Sequence, residues 1–538
     1  MDYGAIVIGG GHNGLICAAY LAQAGLDVLV VEARDSVGGC ASTVDALDGG
    51  RVNICNCEHT MVRATPIAEE LSLARHGLRY LAVDPGYFSV HHDGGPGWYV
   101  FADLERTLDG LRVAYPSEVE NYRRYAAVAV PVVKLAIAMA NDVPRPGHVL
   151  RTVGALRARG LGTLLNWSRR SVGDVVRSFF TAEQVRSPVI TAGPSVWGMA
   201  PDAPGTGLGA LGYATIHAVE RGRPVGGSGA LPDAVRGALL AAGGSVRTGA
   251  RVSDVLIEGR AVRGVRLITG EEITAPIVVS AGDPRQLFVD WLRNAPHSSA
   301  LGAVVARYAA APGHDGYESK IDAVIAGPYR FRQAVDAVSA AVGIDPQSGP
   351  LGPTTIVSNS LAQLGADHAR AQQGRIATRP QFLVNTPSVL DPTLAAGLAS
   401  GEQILSVEAI WTPYAVDGGW AGSPEPQRWL DVLADLTEGL EVRRFRTMTP
   451  VDYESQFFMT RGYAPSFAGT PFTTLLAKSP EQTRYRTPIE GLFLTGAGTY
   501  PGAGVWGASG RNAATAVLSS DGRGWRARRA AAAALAGL

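Results

Sequence analysis

The chain has 538 residues, and its 48 lysines and arginines balance 48 aspartates and glutamates, so the formal net charge at pH 7 is zero. Hydrophobic residues make up 46% and charged residues 18%, which excludes an intrinsically disordered chain. The balanced charge also excludes the basic surface that neutralises a nucleic-acid backbone, so no nucleic-acid partner is expected. At about 150 residues per domain, the length corresponds to roughly three to four domain equivalents.

Cysteine count and apolar runs indicate the compartment. Four cysteines are too few for a disulfide scaffold, and residues 1–4 lack the basic flank of a secretory signal. The most apolar run, residues 128–140, is interrupted by Pro131 and Lys134 and predicts no membrane span. We therefore expect a cytoplasmic protein, and leave open a peripheral membrane contact and a homo-oligomer.

The first thirty residues carry the pattern of a nucleotide-binding unit. An apolar run over residues 5–8 predicts a buried strand, and residues 9–14 read Gly-Gly-Gly-His-Asn-Gly. The periodicity of residues 15–24 predicts a helix, and residues 27–31 predict a second buried strand. This order of strand, tight turn, helix and strand predicts dinucleotide binding.

Three glycines of this turn have separate structural roles. Gly9 permits the turn, Gly11 lets a pyrophosphate approach the backbone, and Gly14 allows the helix to pack closely on the strand. Glu32 ends the second strand, where a carboxylate accepts hydrogen bonds from the adenosine ribose. The residues expected to bind the dinucleotide here are Gly9, Gly11, His12, Asn13, Gly14, Glu32, Ala33 and Arg34.

A second glycine turn favours FAD over NAD. Residues 38–43 read Gly-Gly-Cys-Ala-Ser-Thr, and an acid followed by paired glycines is typical of flavoproteins. We expect Gly38, Gly39, Ser42 and Thr43 to contact the same pyrophosphate. No second Gly-x-Gly-x-x-Gly follows a strand later in the chain, so a bound NAD(P) is not expected.

A third glycine-rich segment lies near the C-terminus. Residues 492–495 predict a strand, and a helix is expected from about residue 505. The amide groups at that helix N-terminus suit the electron-rich N1 and O2 edge of a reduced flavin. The residues expected to contact the flavin are Gly496, Ala497, Gly504, Val505 and Trp506.

These segments, with Gly-Gly-Ser-Gly-Ala-Leu-Pro at residues 226–232, resemble the FAD-dependent phytoene desaturase-like family, which includes carotene ketolases. Residues 9–21 are similar to the ketolase-type branch in particular. The resemblance implies that the strands predicted between residues 246 and 281 form the second half of the FAD domain. It also implies that the backbone near Val252 holds the adenine and that Gly282 belongs to the cofactor site.

The resemblance implies an α/β fold in which a Rossmann-like FAD-binding domain is interleaved with an α+β substrate-binding domain. We expect the FAD-binding domain at residues 1–90, 220–295 and 480–525, and the substrate domain at residues 91–219 and 296–479. Residues 526–538 form a C-terminal tail, which we expect to be a solvated helix rather than a lipid anchor.

Two positions depart from the family pattern. Cys40 stands where many relatives have an arginine after the paired glycines, so a phosphate contact is missing or is supplied elsewhere. Ala497 stands where many have an aspartate, which removes one expected hydrogen bond to the ribityl chain.

The segment expected nearest to the chemistry is residues 51–60. Cys55 and Cys57 share a face if this segment is a strand. Several readings stay open: buried cysteines with a core histidine, a cavity wall where Glu58 or His59 steers a proton, or a covalent flavin through Cys55, Cys57 or His59. A metal site is rejected because too few ligands lie here. The candidate catalytic residues are Cys55, Cys57, Glu58, His59 and Trp506.

The resemblance implies hydride transfer from an apolar or conjugated substrate to flavin N5, with reoxidation by oxygen, a quinone or another acceptor. The main hypothesis is an FAD-dependent desaturase or dehydrogenase. Three alternatives stay open: an amine-oxidase-type enzyme on a small metabolite, a non-redox flavin-dependent isomerase, and a non-catalytic flavin-binding partner.

Overall fold

The computed structural model of the protein describes residues 1–520 except residues 56, 297, 312–314, 465 and 468. The predicted tail at 526–538 and the last residues of the segment predicted at 480–525 lie outside the described residues. In the described part of the chain, no helix is long and apolar enough to cross a membrane.

A five-stranded parallel sheet forms the nucleotide-binding half. Its first two strands are uniformly apolar and fully buried, as expected for a parallel sheet covered on both faces. In spatial order the strands are Leu492–Leu494, Val278–Ser280, Ala5–Ile8, Val28–Val31 and Ser245–Arg247. Strands from three distant segments therefore make one sheet.

Helices cover one face of this sheet and a small antiparallel sheet covers the other. Helices His12–Gln23, Ala230–Ala241 and Ala508–Ser520 share one apolar core with the parallel strands. Strands Val252–Glu258, Ala261–Leu267 and Glu272–Thr274 share a second core on the opposite face. The mixed α/β fold with a Rossmann-like domain, predicted from the sequence, is confirmed.

A seven-stranded mixed sheet forms the second half. Its only parallel pair joins Tyr87–His91 to Thr354–Ser358 among the described strands. In spatial order the strands are Val442–Met448, Glu318–Ile325, Gln403–Ile410, Phe382–Asn385, Thr354–Ser358, Tyr87–His91 and Trp98–Val100. Because Tyr87–His91 belongs to this sheet, the predicted boundary between residues 90 and 91 falls inside a strand and has to move to before residue 87.

The remaining strands form three short antiparallel pairs: Thr43–Ala46 with Gly50–Asn53, Tyr80–Ala82 with Gly222–Pro224, and Arg330–Phe331 with Thr437–Glu438. The other helices of ten or more residues are Leu104–Ala114, Val119–Ala140, Pro146–Ala155, Ser299–Ala310, Leu361–Ala371 and Glu425–Asp435. Shorter helices are Ile67–Glu70, Leu161–Trp167, Val172–Arg177, Glu183–Arg186, Pro188–Thr191, Gly212–Ala218, Asp336–Ala341, Pro450–Phe457, Pro471–Leu475 and Pro480–Thr483.

Two predicted boundaries shift. The first helix begins at His12, earlier than predicted, because Gly11 already serves as its N-cap. The last helix begins at Ala508 rather than near residue 505, so Trp506 precedes the helix. The two helices pack closely, since a Cβ at Gly510 would lie 2.3 Å from the Asn13 carbonyl oxygen.

Candidate active site

One cavity of about 480 Å³ joins the two halves. Its wall includes the three glycine segments of the parallel sheet and, at the other end, side chains from the seven-stranded sheet. The volume is within the range of cofactor and small-molecule sites. A dinucleotide and a substrate would therefore meet in a single space.

The first glycine turn is shaped for a pyrophosphate. A Cβ at Gly14 would lie 2.1 Å from the Gly9 carbonyl oxygen, so only glycine permits this approach of helix to strand. A Cβ at Gly11 would meet no protein atom within 4 Å, and Gly11 lines the cavity. The helix that starts at His12 has no side-chain cap, which leaves its first amide groups for an anion.

Glu32 holds the two glycine turns together. Its carboxylate accepts hydrogen bonds from the amides of Gly10 at 2.6 Å and Arg34 at 2.9 Å. The amide of Gly38 donates to the Gly10 carbonyl oxygen at 2.8 Å, which holds the second turn against the first. Glu32 also lines the cavity, where it stands at the end expected for the ribose.

Most of the predicted cofactor residues line this one cavity. They are Gly9, Gly11, His12, Asn13, Gly14, Glu32, Ala33, Arg34, Gly38, Gly39, Val252, Gly282, Gly496, Ala497, Gly504 and Val505. Burial lowers the pKa of His12 to about 4, so its ring is neutral at physiological pH.

Three predicted cofactor residues do not line the cavity, and their assignment is corrected. The Ser42 hydroxyl donates to the Gly39 carbonyl oxygen at 2.6 Å, and the Thr43 hydroxyl donates to Asn53 at 2.9 Å. Both side chains therefore hold the turn instead of contacting a ligand. Trp506 also lies outside the lining, and it precedes the last helix, which starts two residues later.

Arg34 is an arginine of the cavity wall that contacts the second glycine turn through Ser42. It lines the cavity, donates to the Ser42 hydroxyl at 3.2 Å and stacks 4.2 Å over the Phe457 ring. Cys40 also lines the cavity. We expect Arg34 to supply the phosphate contact that Cys40 cannot make.

His59 and Cys57 do not reach the cavity, which corrects their catalytic assignment. The two ring nitrogens of His59 form hydrogen bonds with the Tyr80 hydroxyl at 3.0 Å and the Ser228 hydroxyl at 2.7 Å. Burial lowers the pKa of His59 to about 3, so it is a neutral core histidine. Cys57 is buried and, like His59, is not among the residues that line the cavity.

Cys55 and Glu58 do line the cavity. The strand predicted to carry both cysteines ends at Asn53, so Cys55 and Cys57 do not share a strand face. Cys55 hydrogen-bonds with Cys40, which lowers the pKa of Cys40 and raises that of Cys55. Glu58 pairs with Arg221 and Arg223, and therefore faces the cavity as part of an ion cluster.

Two carboxylic acids in the cavity wall were missed from the sequence. Glu318 and Glu408 lie on adjacent antiparallel strands, and Glu408 is directly opposite Lys320. Lys320 is already paired with Asp322 and donates to the Asn53 carbonyl oxygen at 2.7 Å. The alternation Glu318-x-Lys320-x-Asp322 at the start of a buried strand is the signal that could have found Glu318, and the single acid in the apolar stretch of residues 403–410 is the signal for Glu408.

These two acids hold protons near neutral pH. Burial, and then the nearby Cys40, raises the pKa of Glu318 to about 7. Burial, and then the like charge of Glu318, raises the pKa of Glu408 to about 8. A carboxyl pair that titrates near pH 7 can accept or donate a proton during catalysis.

Comparisons with known proteins cover nearly the whole chain. A family model described as an NAD(P)-binding Rossmann-like domain matches residues 7–65. The chain is 29% identical to mouse (Mus musculus) pyridine nucleotide-disulfide oxidoreductase domain-containing protein 2, over 96% of this chain and 93% of that protein. It is 26% identical to a lycopene-forming phytoene desaturase of Paracoccus sp., over 96% and 97% of the two chains.

A solved oxidoreductase structure from Methanosarcina mazei has the same fold. Its TM-score is 0.60 at 17% identity, over 96% of this chain and 99% of that chain. The likeness therefore extends over both sheets and not over the glycine turns alone.

Proposed function

We propose that this chain, which belongs to the Rossmann-fold oxidoreductase superfamily of the phytoene desaturases, is an FAD-dependent dehydrogenase or desaturase. Its substrate is apolar or conjugated over most of its length. The reduced cofactor passes its electrons to oxygen, a quinone or another acceptor.

The observation that carries this proposal is the shared cavity. The glycine segments near residues 9–14, 38–39 and 496–505 open into the same space as the inner face of the seven-stranded sheet. A dinucleotide held by these segments would point its reactive ring toward the sheet. That arrangement suits direct transfer between cofactor and substrate with little access for water.

The residues present fit a flavin dinucleotide. Gly11 and the uncapped start of the first helix suit the pyrophosphate, Glu32 suits the ribose, and the Gly504 region suits the ring. When bound, FAD supplies a hydride acceptor at its N5 atom. The second and third glycine segments support FAD in particular, because a bound nicotinamide cofactor does not require them.

Glu408 and Glu318 are placed to handle the proton. Removal of a hydride from one substrate atom leaves a proton on its neighbour, and a carboxylate in the cavity wall can accept it. The raised pKa of each acid allows the pair to take up that proton near pH 7 to 8 and to release it afterwards. This role replaces the one that the sequence suggested for His59.

The relatives do not favour an amine oxidase or a non-redox isomerase. The sequence relatives named above are a desaturase and an oxidoreductase-domain protein. The solved structure of a putrescine oxidase variant has a TM-score of 0.59 at 17% identity, over 96% of this chain and 99% of that chain, which is a likeness of fold. Phytoene, which the name of one relative identifies as its substrate, is the first donor to test.

Visible absorbance of the purified protein tests the proposal directly. We expect a yellow protein after loading with FAD, and a yellow supernatant after acid precipitation. His59 and Cys57 lie outside the cavity lining, and the hydrogen bond with Cys40 together with burial raises the pKa of Cys55, which keeps that cavity-lining thiol protonated. Under anaerobic conditions, phytoene or another conjugated polyene should bleach the flavin band. A protein that takes up no FAD, or a flavin that no apolar donor reduces, would contradict the proposal.

A further inference from the structure

A buried cluster with two arginines and one carboxylate lies at one end of the cavity. Arg221 and Arg223 both donate to Glu58, from Nη2 of each guanidinium, and the Arg223 contact measures 2.7 Å. The Thr354 hydroxyl also donates to Glu58, at 2.8 Å. Within the described part of the chain, the ion pairs of both arginines go to this one glutamate.

The cluster therefore carries an excess positive charge. The side chains of Arg221, Arg223 and Glu58 are 8%, 3% and 2% exposed, so solvent screens this charge poorly. Burial and the like charge of Arg223 lower the pKa of Arg221. A buried charge without a partner is costly, and an anion supplied by a ligand would remove that cost.

Arg221 presents the excess charge to the cavity. It lines the cavity, while Arg223 lies behind it. The Arg221 guanidinium stacks 4.2 Å over the Tyr87 ring, which fixes its plane. Its Nε atom is buried and has no hydrogen-bond partner among the described residues. A fixed guanidinium with a free N–H group is suited to a planar, bidentate acceptor.

From these observations we infer that Arg221 binds a carboxylate group of the substrate. A net charge of about one matches a monoanion better than a phosphate dianion, and the fork of the guanidinium matches the two oxygens of a carboxylate. This inference rests on the proposed function and names its substrate class: an apolar, elongated carboxylic acid.

The sheet sets the length of that substrate. The Tyr87 strand and the Glu408 strand are separated by three strand spacings, which is about 14 Å. Between them the sheet contributes the polar Thr354 and Asn385 beside the arginine cluster and the apolar Leu383 beside Glu408. Ala192 and Val196 line the cavity from the helical side. The carboxylate would thus lie at one end, and the bond that loses its proton near Glu408 at the other.

Binding of matched ten-carbon probes to the FAD-loaded protein tests the inference. Calorimetry would compare decanoate with its neutral analogue decanamide and with decylamine. We expect decanoate to bind roughly ten- to hundredfold more tightly than decanamide, as for a charge-assisted hydrogen bond. Arg221→Met should abolish the preference, and Arg221→Lys should retain only part of it, because lysine keeps the charge but not the fork.

Two controls separate this role from a structural one. Arg63 lies beside the same strand but pairs with the exposed Glu220, so Arg63→Met should leave the preference intact. Cys57 lies close enough to Arg221 to interact electrostatically. A preference seen only in Cys57→Ser would mean that the Cys57 sulfur already neutralises Arg221, and would overturn the inference.

Other outcomes are equally decisive. Equal binding of decanoate and decanamide by the wild type, or a preference that survives in Arg221→Met, overturns the inference. Tighter binding of decyl phosphate than of decanoate would overturn the assignment to a carboxylate. Flavin absorbance of the same samples reports on the proposed function separately, because a protein without flavin can still show or lack the decanoate preference.

Discussion

The two halves of the molecule line the cavity with different chemical groups. The parallel sheet contributes backbone: glycines without side chains, amide groups at a helix start, and one acid at a strand end. The seven-stranded sheet contributes polar and ionisable side chains from strands far apart in the chain, among them Thr354, Glu318 and Glu408. The comparison suggests that the half with the parallel sheet holds the cofactor, and that the half with the seven-stranded sheet selects the substrate.

The largest effect should come from a bulky side chain at Gly11 in the first glycine turn. Gly11 has φ −67° and ψ 164°, which any residue adopts, and its Cβ position is open. Gly11→Leu should therefore fold normally and abolish FAD binding, because the side chain would occupy the pyrophosphate site. The ratio of visible to ultraviolet absorbance after loading with FAD measures this.

Gly162→Leu is the matched control for that variant. Gly162 lies on an exposed helix with open space around it, away from the cavity. We expect it to bind FAD as the wild type does. If Gly11→Leu keeps its flavin while remaining folded, the first glycine turn does not hold the pyrophosphate.

The next largest effect concerns the acid pair of the second half. Loss of a positioned general base typically costs about 10²- to 10⁴-fold in rate. We expect this loss in the rate of flavin reduction for Glu408→Gln. In the wild type the rate should rise with pH between about 7 and 8, as the pair loses its proton. Stopped-flow reduction across this pH range tests both statements, and Glu438→Gln, an exposed glutamate, serves as the control.

The same variant should become more stable than the wild type at high pH, because the wild type loses stability as the pH rises. Because the pKa of Glu408 is raised from 4.5 to about 8, the folded protein binds this proton more tightly than the unfolded chain does. That stabilisation is fully present below pH 4.5 and is lost as the pH rises through 8. Glutamine is neutral throughout, so Glu408→Gln should melt higher than the wild type above pH 8. An equal melting temperature at pH 9 would show that Glu408 is not buried as a neutral acid.

The smallest effect is expected for His59→Phe, a variant that distinguishes a core histidine from a catalytic one. His59→Phe would leave the Ser228 and Tyr80 hydroxyls without their partner, which should lower the free energy of unfolding by about 1–3 kcal/mol. The rate of flavin reduction should remain that of the wild type, because His59 lies outside the cavity. Chemical denaturation and stopped-flow reduction measure the two quantities, and a large loss of rate in a stable variant would return His59 to the active site.

Local patterns predicted much of the first half and little of the second. Gly9, Gly11, Gly14 and Glu32 follow one another within a strand, a turn and a helix, so their roles can be derived from spacing. The sequence left His59 open between a core and a catalytic role, and could not decide because its partners, Tyr80 and Ser228, are 21 and 169 residues away. The sequence also placed Trp506 in the last helix, whereas that helix begins two residues beyond it.

By itself, the sequence predicted glycine turns of the kind that hold a dinucleotide, and it predicted that three distant segments share one domain, whose strands the structure places in one sheet. Those features depend on backbone conformation, which neighbouring residues control. Only the tertiary structure decided that Glu318, Glu408 and Arg221 meet in one cavity. The register of antiparallel strands and the packing of Gly222–Pro224 bring them together, and neither is encoded in any single stretch of the chain.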